Sequence, residues 1–324
     1  MLRDEVLALL KAREGKPLSG EEMSRALGVS RAAVWKAMES LRDEGYVISS
    51  ALEGSPDRLS AGELAGALAG RRVGRALVCL ETVDSTNNEV KRRALAGAAD
   101  GLAVVAEQQT GGRGRRGRSF VSPAGQGLYL SVLLRPRCPL EEVSTLTAWT
   151  AVAVCNAVER VCGVRPGIKW PNDVILDGRK LCGILTELEL EAETAALRHV
   201  VVGVGINLTQ TAADFGPEVA PVAVSLAQAL GRAPRRAEMA AAVLAALDEL
   251  YAAFPAERAA WLERYRADCL TLGRTVRLLR AGEEEEAFAE AVDDAFALVV
   301  RRADGSREAV SSGEVSVRGL LGYV

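Results

Sequence analysis

The sequence predicts an α+β protein built from three parts. Short helical patterns occupy about the first 50 residues, strands alternate with helices from residue 77 to about residue 250, and short strands follow Thr275. Hydrophobic residues make up 49% and charged residues 26% of the 324 residues, which is typical of a globular chain with more than one domain. We therefore expect domains over residues 1–65, 66–268 and 269–324.

The first part has the pattern of a helix–turn–helix with a wing. Ser19 and Glu22 have the spacing of a capping box, and Ser30 is placed to cap a third helix that ends at Gly45. We expect the wing strands at residues 46–48 and 58–59, around a turn at residues 53–55. The polar face of the third helix predicts contacts with DNA, although its tryptophan would serve equally well to pack against the wing: Ser30, Arg31, Trp35 and Lys36.

The second part alternates strands and helices. A helix and linker are expected near residues 60–76, and long helices near 140–162 and 236–254. The predicted strands are residues 78–80, 103–106, 128–134, 183–190 and 199–206. The pair Asp177-Gly178 predicts a two-residue hairpin turn.

The third part, from Thr275 onward, reads as a small β-barrel of about 50 residues. Residues 303–305 have the composition of a turn. The acidic run at residues 283–286 predicts a solvated hairpin.

The residue content argues against several chemistries. The chain has a single histidine, His199, which lies beside an apolar run and is predicted to be structural, so a Ser-His-Asp or His-metal mechanism has little to use. The six cysteines form no CxxC pair and predict reduced thiols. Without a membrane-length apolar run or a signal-peptide pattern, we expect the chain in the cytoplasm. The net charge of −3 means that any phosphate or nucleic-acid site must come from local basic clusters.

A glycine–arginine loop, defined as residues 111–118, carries four arginines interleaved with glycines. Glycine lets backbone approach an anion closely, and arginine offers a fixed fork of donors to phosphate. A solvated basic loop or a nucleic-acid-binding tail would have the same composition. The loop follows a predicted strand and precedes another, which favours a mobile lid over a ligand.

Two further clusters add cations and a carboxylate. Residues 169–173, here called the Lys–Asp turn, place Lys169 and Asp173 around Pro171 and Asn172, where they either form an ordinary turn or serve a nucleotide phosphate and its Mg²⁺. Lys180 enters an apolar strand, which is costly unless the lysine meets an anion or its amine reaches water.

Two weaker patterns complete the set. Asp84, Ser85, Thr86 and Asn87 follow a strand and precede a helix, as an ordinary N-cap also does. The glycines at 203 and 205 in a strand predict close approach by another group, just before Asn207.

Taken in this order, these clusters resemble the biotin–protein ligase family, including Gln109 before the glycine–arginine loop. The resemblance covers nearly the whole chain and is most specific in the loop and the Lys–Asp turn. With the N-terminal winged helix-turn-helix it points to the bifunctional class, in which the ligase also represses biotin genes. It implies a central α/β ligase domain with a mixed sheet and an SH3-like C-terminal barrel.

The resemblance also implies roles for individual residues. Lys180 and Arg115 would be catalytic, and Asp173 would be a Mg²⁺ ligand. The biotin contacts would be Ser85, Thr86, Asn87, Gln109, Gly112, Arg113, Gly114, Arg115 and Lys180. The ATP contacts would be Arg115, Arg118, Lys169, Asn172, Lys180 and Asn207.

The family resemblance implies as partners a biotin carboxyl carrier protein, operator DNA and a second copy of the chain when biotinyl-AMP is bound. The wing departs from the family pattern, since Pro56 stands near its turn and no tyrosine follows. Residues 1–50 also hold eight basic and eight acidic residues, which weakens the case for DNA binding. The alternatives are a lipoate-type protein ligase, a ligase with a non-functional DNA-binding domain, and a ligand-sensing transcription factor without ligase activity.

Overall fold

The structure is a computed structural model that describes residues 2–13, 15–280, 283–311 and 316–319. Within these residues it contains three parts in the order expected from the sequence.

The N-terminal part is a three-helix unit with a small hairpin. Its elements are α1 (Leu2–Ala12), α2 (Gly20–Leu27), α3 (Arg31–Asp43), β1 (Val47–Ile48) and β2 (Leu52–Gly54). Ser19 and Glu22 form the predicted capping box, and the Ser30 hydroxyl accepts a hydrogen bond from the amide of Ala33. These helices bury an apolar core of their own around Leu7, Val34 and Leu41. The helix–turn–helix prediction is confirmed by this arrangement.

The prediction for the wing was wrong in its second strand. The partner of β1 is β2 at Leu52–Gly54, with Ile48 opposite Leu52, and residues 58–59 are not in a strand. Leu59 instead turns into the central apolar core, and its amide donates to a carboxylate oxygen of Glu107. Burial of Leu59 against the neighbouring domain outweighs its fit to a strand.

A short helix, α4 (Ala61–Leu68), joins the first part to the second. Its Leu64 and Leu68 belong to the central core, so the expected boundary at residue 65 falls within a helix. Charged contacts surround this junction: Glu63 pairs with Lys11 and Arg235.

The central part is a seven-stranded sheet in the order β3-β4-β5-β9-β8-β7-β6. Only β3 and β4 run parallel, so the sheet is mixed, as expected. Its strands are β3 (Leu77–Val83), β4 (Ala103–Gln109), β5 (Gly127–Leu134), β6 (Gly167–Lys169), β7 (Asp173–Leu176), β8 (Arg179–Leu190) and β9 (Leu197–Asn207).

Helices cover both faces of this sheet. The side chains of successive strand residues point to opposite faces, so both faces are apolar and need covering. Val105 faces a core shared with two long helices, whereas Val104 packs with Val90 of the helix on the opposite face. The helices are α5 (Thr86–Leu95), α6 (Leu140–Ser144), α7 (Leu146–Cys162), α8 (Ala212–Phe215), α9 (Leu226–Leu230), α10 (Arg236–Ala253) and α11 (Arg258–Asp268). The helix expected over 140–162 is therefore two helices that meet at Thr145.

The predicted hairpin at Asp177-Gly178 is confirmed between β7 and β8. Both residues have positive φ, 49° and 69°, as a two-residue hairpin turn of this type requires. This turn pairs Ile175 with Lys180, and a bulge between Val174 and Ile175 then shifts the register by one residue, so that Asp173 lies opposite Gly183.

The C-terminal part is an antiparallel sheet in the order β13-β12-β11-β10-β14. Its strands are β10 (Thr275–Arg280), β11 (Glu283–Val292), β12 (Leu298–Arg301), β13 (Arg307–Val310) and β14 (Ser316–Gly319). Among the described residues the predicted small barrel is an antiparallel sheet that is not closed, because β13 and β14 are its two edges and do not pair with each other. Residues 320–324, which the expected barrel included, lie outside the described residues.

The acidic run begins β11 and is exposed, as expected of a solvated hairpin arm. Its carboxylates lie near basic side chains of the same sheet: Glu284 pairs with Arg277, and Glu285 with Arg302. No helix among the described residues is long and apolar enough to cross a membrane.

Candidate functional site

A cavity of about 530 Å³ brings together most of the residues singled out in the sequence. Its wall is formed by the start of α5, the end of β4, the glycine–arginine loop, the Lys–Asp turn, and β8 with β9. Twelve of the residues assigned to biotin, ATP or Mg²⁺ line it: Ser85, Thr86, Asn87, Gln109, Arg113, Gly114, Arg115, Arg118, Lys169, Asn172, Asp173 and Lys180.

One wall of the cavity is polar but uncharged. Ser85 occupies the N-cap position of α5, yet its hydroxyl makes no capping hydrogen bond, although it is 2% exposed. The amide and hydroxyl of Thr86 both donate to Oε1 of Gln109, at 2.9 and 3.1 Å. Nε2 of Gln109 donates to Oγ of Ser122 at 2.9 Å. These bonds fix the direction of the Gln109 amide and leave a wall that suits a neutral, hydrogen-bonding ring.

Asp84 lies outside this wall and fixes the start of α5. Its carboxylate accepts two hydrogen bonds from Arg92 and one from Asn88, and its carbonyl accepts from the amide of Gly111. Hydrogen bonds from Arg92, followed by those from Asn88 and the Ser85 backbone, hold the pKa of Asp84 well below its usual range. The carboxylate therefore stays charged and fixes the start of the helix, while the backbone carbonyl of Asp84 holds the first residue of the glycine–arginine loop.

The glycine–arginine loop forms a small hairpin at the edge of the cavity. The amide of Gly114 donates to the carbonyl of Arg118 at 2.7 Å, and Arg113 forms an antiparallel bridge with Ser119. Nη1 of Arg115 donates to Oδ1 of Asn172 at 3.0 Å and so reaches the Lys–Asp turn. Burial lowers the pKa of Arg115, but a guanidinium keeps its charge in proteins.

The Lys–Asp turn is held from behind by residues far along the chain. The backbone amide of Trp170 donates to Oγ1 of Thr271 at 2.9 Å, and its indole Nε1 donates to the carbonyl of Phe296 at 3.0 Å. The hydroxyl of Tyr265 donates to the carbonyl of Pro171 at 3.2 Å. The Trp170–Pro171 bond is cis. The turn is therefore more than a simple reversal of the chain, because its backbone is fixed by the C-terminal third of the molecule.

Lys180 and Asp173 form an ion pair inside the cavity wall. Nζ of Lys180 lies 2.6 Å from Oδ1 of Asp173, and the two side chains are 26% and 14% exposed. The lysine therefore does not extend to bulk water as an ordinary edge lysine would. A ligand carboxylate or phosphate that enters the cavity meets a lysine already paired with one carboxylate, so it competes with Asp173 for the ammonium group.

Two of the sequence-predicted residues lie behind the wall and do not line the cavity. A Cβ on Gly112 would lie 2.3 Å from the carbonyl oxygen of Phe120, so this glycine permits close packing inside the loop. The side-chain Nδ2 of Asn207 donates to the backbone carbonyls of Lys180 and Val224, at 3.3 and 3.2 Å. Asn207 thus supports the backbone at Lys180.

The strand glycines have the close neighbours that the sequence predicted. A Cβ on Gly205 would lie 2.6 Å from the ring of Phe120, and a Cβ on Gly203 would lie 2.2 Å from Oδ1 of Asn87. Phe120, Ser131 and Glu187 also contribute to the site and were not predicted from the sequence. Ser131 is the one serine in the mostly apolar strand β5, and that signal was available in the sequence.

The side chains that bind metals elsewhere are not clustered here. In the described ranges no group of three or more His, Cys, Asp or Glu is arranged to hold an ion. The six cysteines are free thiols. His199 lies on β9, is 4% exposed and does not line the cavity, and burial lowers its pKa. Its predicted structural role is consistent with this position.

The residues assigned to DNA lie together at the N-terminal half of α3. Arg31 and Lys36 are exposed, and Trp35 is 63% exposed, so its indole does not pack against the wing. The arrangement leaves a basic and aromatic surface on the second helix of a helix–turn–helix.

Comparison with known families matches each of the three parts. The biotin/lipoate A/B protein ligase family model matches residues 79–207, a helix–turn–helix domain model matches residues 3–54, and the biotin protein ligase C-terminal domain model matches residues 271–318.

Individual relatives extend this similarity over most of the chain. The bifunctional ligase/repressor BirA of Bacillus subtilis is 38% identical over 256 residues, which cover 77% of this chain and 78% of that one. The Escherichia coli protein of the same name is 30% identical and covers 97% of this chain and 96% of its own. The solved biotin protein ligase from Aquifex aeolicus in complex with biotin and ATP has a TM-score of 0.64 and 29% identity, covering 76% of this chain and 99% of that one.

Proposed function

The chain belongs to the family of bifunctional biotin–protein ligases and repressors, and from that premise we propose that its cavity joins biotin to ATP and passes the biotin to a lysine of a biotin carboxyl carrier protein. The proposal depends on one observation: the neutral polar wall described above and a cationic wall of lysine and arginine side chains line the same cavity. The first suits the biotin ring system, and the second suits a carboxylate beside a phosphate.

In the proposed arrangement the neutral wall holds biotin. Ser85, Thr86 and Gln109 offer a free hydroxyl, an oriented hydroxyl and an oriented amide to the ring, with Asn87 beside them. The small size of Gly203 and Gly205 lets Asn87 and Phe120 reach the sheet and close this end. Gly112 and Asn207 support the wall from behind, so we do not assign them a contact with either substrate.

The cationic wall lowers the repulsion between the two reacting anions. The biotin carboxylate attacks the α-phosphorus of ATP, a bond to the acyl oxygen forms, and pyrophosphate leaves. We assign Lys180 and Arg115 to this centre, with Arg113 and Gly114 over the carboxylate and Arg118, Lys169 and Asn172 toward the nucleotide. Fixed positive groups stabilise the charge that develops on the phosphorus, and no histidine is required.

Magnesium enters this proposal as part of the substrate MgATP. The cavity wall contains two carboxylates, Asp173 and Glu218, and Asp173 is already paired with Lys180. Mg²⁺ binds readily through one carboxylate together with substrate phosphates. This donor set therefore fits an ion carried by ATP, for which Asp173 would be the protein ligand.

The glycine–arginine loop protects the intermediate. Biotinyl-AMP is an acyl phosphate anhydride that water hydrolyses, and a loop closed over it excludes water. The amine of the carrier lysine then attacks the acyl carbon and AMP leaves.

Closing of an exposed loop also lowers the entropy cost of association at a nearby surface, so we propose that bound biotinyl-AMP favours a homodimer. Two α3 helices would then contact the half-sites of a biotin operator through Ser30, Arg31, Trp35 and Lys36.

The ligase proposal is tested by incubating the protein with MgATP, biotin and a carrier domain and weighing the carrier. We expect a biotin adduct on one lysine that requires ATP. A parallel reaction with lipoate separates the two ligand classes. Labelling by lipoate and not by biotin would favour a lipoate ligase, and no labelling by either would favour a ligand-sensing transcription factor.

The repressor proposal has its own test. We expect a gel shift of DNA upstream of biotin genes only with biotin and MgATP, together with a monomer-to-dimer change in sedimentation. The matched control is the double variant Arg31→Ala and Lys36→Ala, which should ligate normally and lose the shift. A monomer that leaves the DNA unshifted in both conditions would mean a ligase whose DNA-binding domain has no such function.

A further inference from the structure

Glu187 is a carboxylate on β8 that lies just behind the cavity and joins two of its walls. Its side chain is 18% exposed. Oε2 accepts a hydrogen bond from Nδ2 of Asn87 at 2.8 Å, and Oε1 accepts from Nζ of Lys91 at 2.6 Å. Nη1 of Arg113 lies 3.4 Å from the same Oε1. One acid thus contacts both the neutral wall and the glycine–arginine loop.

The contact with Asn87 decides which way its amide faces. An ionised carboxylate can only accept hydrogen bonds, so the NH₂ group of Asn87 must face Glu187. The same NH₂ also donates to the carbonyl of Leu185 at 3.2 Å. Oδ1 of Asn87 then faces Ser131, whose Oγ lies 2.6 Å away, and it packs on the backbone of Gly203. Without the acid, the NH₂ group would lose its strongest acceptor, and the amide would be freer to turn over.

The effect of Asn87 reaches the other residues of the neutral wall through Ser131. Oγ of Ser131 also lies 2.7 Å from Oγ1 of Thr86, which in turn bonds Oε1 of Gln109. A hydroxyl has one hydrogen to donate, so the orientation of Asn87 influences which partner Ser131 serves. The chain of contacts therefore links Glu187 to three of the residues assigned to biotin.

The contact with Arg113 gives the loop a charged anchor on the sheet. Arg113 is half exposed, and its other partner is Oδ1 of Asn88 at 3.1 Å. Burial raises the pKa of Glu187, but hydrogen bonds from Lys91 and Asn87 outweigh this, and the pKa lies below its ordinary value. The anchor is therefore charged at neutral pH.

We propose that Glu187 is a positioning residue of the ligase, which orients Asn87 for the biotin ring and anchors Arg113 when the glycine–arginine loop covers biotinyl-AMP. The inference rests on the proposed function of the cavity. Glu187 touches neither substrate and acts through the two residues that it holds.

The test is Glu187→Gln, which keeps the shape of the side chain and removes its charge. We expect the KM for biotin to rise about tenfold, as the loss of a charge-assisted contact implies, and biotinyl-AMP to escape faster in a rapid-dilution assay. The KM for ATP should stay within about twofold of the wild type, since Glu187 contacts none of the residues assigned to ATP.

The matched control is Glu189→Gln, which removes the same charge from the same face of the same strand. Glu189 is exposed and lies outside the cavity wall, so both KM values and the escape rate should not change. A second arm combines Glu187→Gln with Arg113→Gln. If the acid anchors the loop through Arg113, the two effects on escape should be much less than additive.

Three outcomes would overturn the inference or its premise, and they are distinct. Normal KM for biotin and normal escape in Glu187→Gln would remove the positioning role. An equal rise in both KM values with a large fall in Tm would show a role in folding only. Absence of biotinyl-AMP in the wild-type protein would instead contradict the proposed function itself.

Discussion

The glycine–arginine loop and the Lys–Asp turn line the same cavity but are held in opposite ways. The backbone of the loop bonds mainly within the loop or to the residues just after it, as in the bonds from Gly114 to Arg118 and from Phe120 to Gly112, and its arginine side chains make most of its contacts with the rest of the molecule. The turn bonds to residues about 100 positions away or more, and Lys169 and Trp170 are 7% and 2% exposed. Local unfolding is easiest where few buried contacts must break, so one wall can move while the other stays fixed.

This difference matches the two tasks of an adenylating site. The fixed wall must hold charges where they stabilise the transition state, because electrostatic stabilisation depends on groups that need no rearrangement. The movable wall must admit two substrates and then retain an unstable product. Variants of each wall should therefore fail in different ways.

The largest effect is expected from Lys180→Ala, because Lys180 lies on β8 and pairs with Asp173 of the fixed wall. Its ammonium, paired with Asp173, is the group best placed to meet the biotin carboxylate, and its loss should lower the rate of biotinyl-AMP formation about 10² to 10³-fold. Pyrophosphate release measures this rate. Arg179→Ala, at the neighbouring position of β8 and outside the cavity wall, is the control and should keep the wild-type rate. Near-normal synthesis by Lys180→Ala would exclude this lysine from the reaction.

A smaller effect is expected from Trp170→Phe, which removes the bond from the indole to Phe296. Loss of one buried hydrogen bond should cost about 1 kcal/mol of stability and raise the KM for ATP by up to about fivefold. Trp149→Phe is the matched control, because its Nε1 has no hydrogen-bond partner among the described residues. If both variants alter the KM for ATP equally, the hydrogen bond from Trp170 to Phe296 has no specific role in ATP binding.

Variants of the movable wall, the glycine–arginine loop, should change how long biotinyl-AMP is retained. Arg115→Gly removes the guanidinium that reaches Asn172 and should speed the escape of biotinyl-AMP several-fold, with less selective labelling of lysines. Arg115→Lys keeps the charge without the planar fork and should fall between. Rapid dilution followed by quantification of free biotinyl-AMP gives the rate. Equal escape from all three proteins would assign retention to other residues.

The smallest effect concerns His199, which belongs to neither wall. Burial lowers its pKa below the ordinary 6.5, so the unfolded chain binds more protons than the folded one in that range. Its contribution to stability is complete above pH 6.5 and is lost as the pH falls toward the lowered pKa. We expect Tm to fall less between pH 7 and 5 in His199→Gln than in the wild type, with an unchanged pH profile for adenylate formation. A changed activity profile would place the histidine in the site.

The sequence predicted local features better than long-range ones. The caps at Ser19 and Ser30 and the hairpin at Asp177-Gly178 depend on neighbouring residues, and all three were confirmed. The second wing strand was wrong because Leu59 is drawn into a core formed by distant residues. The expected barrel also depended on long-range pairing, and β13 and β14 remain separate edges.

The candidate site shows the same limit. Motif residues such as Lys180 and Gln109 meet in the cavity, yet the sequence did not reveal that Gly112 and Asn207 stand behind it. Both residue types fit the family motifs as well as the lining residues do. Only the packing of the folded chain distinguishes a residue that lines the cavity from one that lies behind it. Trp170 was part of a motif, but its partner Phe296 carries no signal, because the bond uses a backbone carbonyl that any residue would supply.

The bond from Trp170 to Phe296 also has a consequence for the order of synthesis. The two residues are 126 positions apart, so the ribosome makes the Lys–Asp turn well before the residues that brace it. At about 5–20 residues per second, this delay is roughly 6–25 s. The sheet strands β3 to β9 and the polar residues that face biotin are complete before Phe296 is added. A nascent chain stalled just short of Phe296 therefore contains every cavity residue named above and lacks the last support of its nucleotide side.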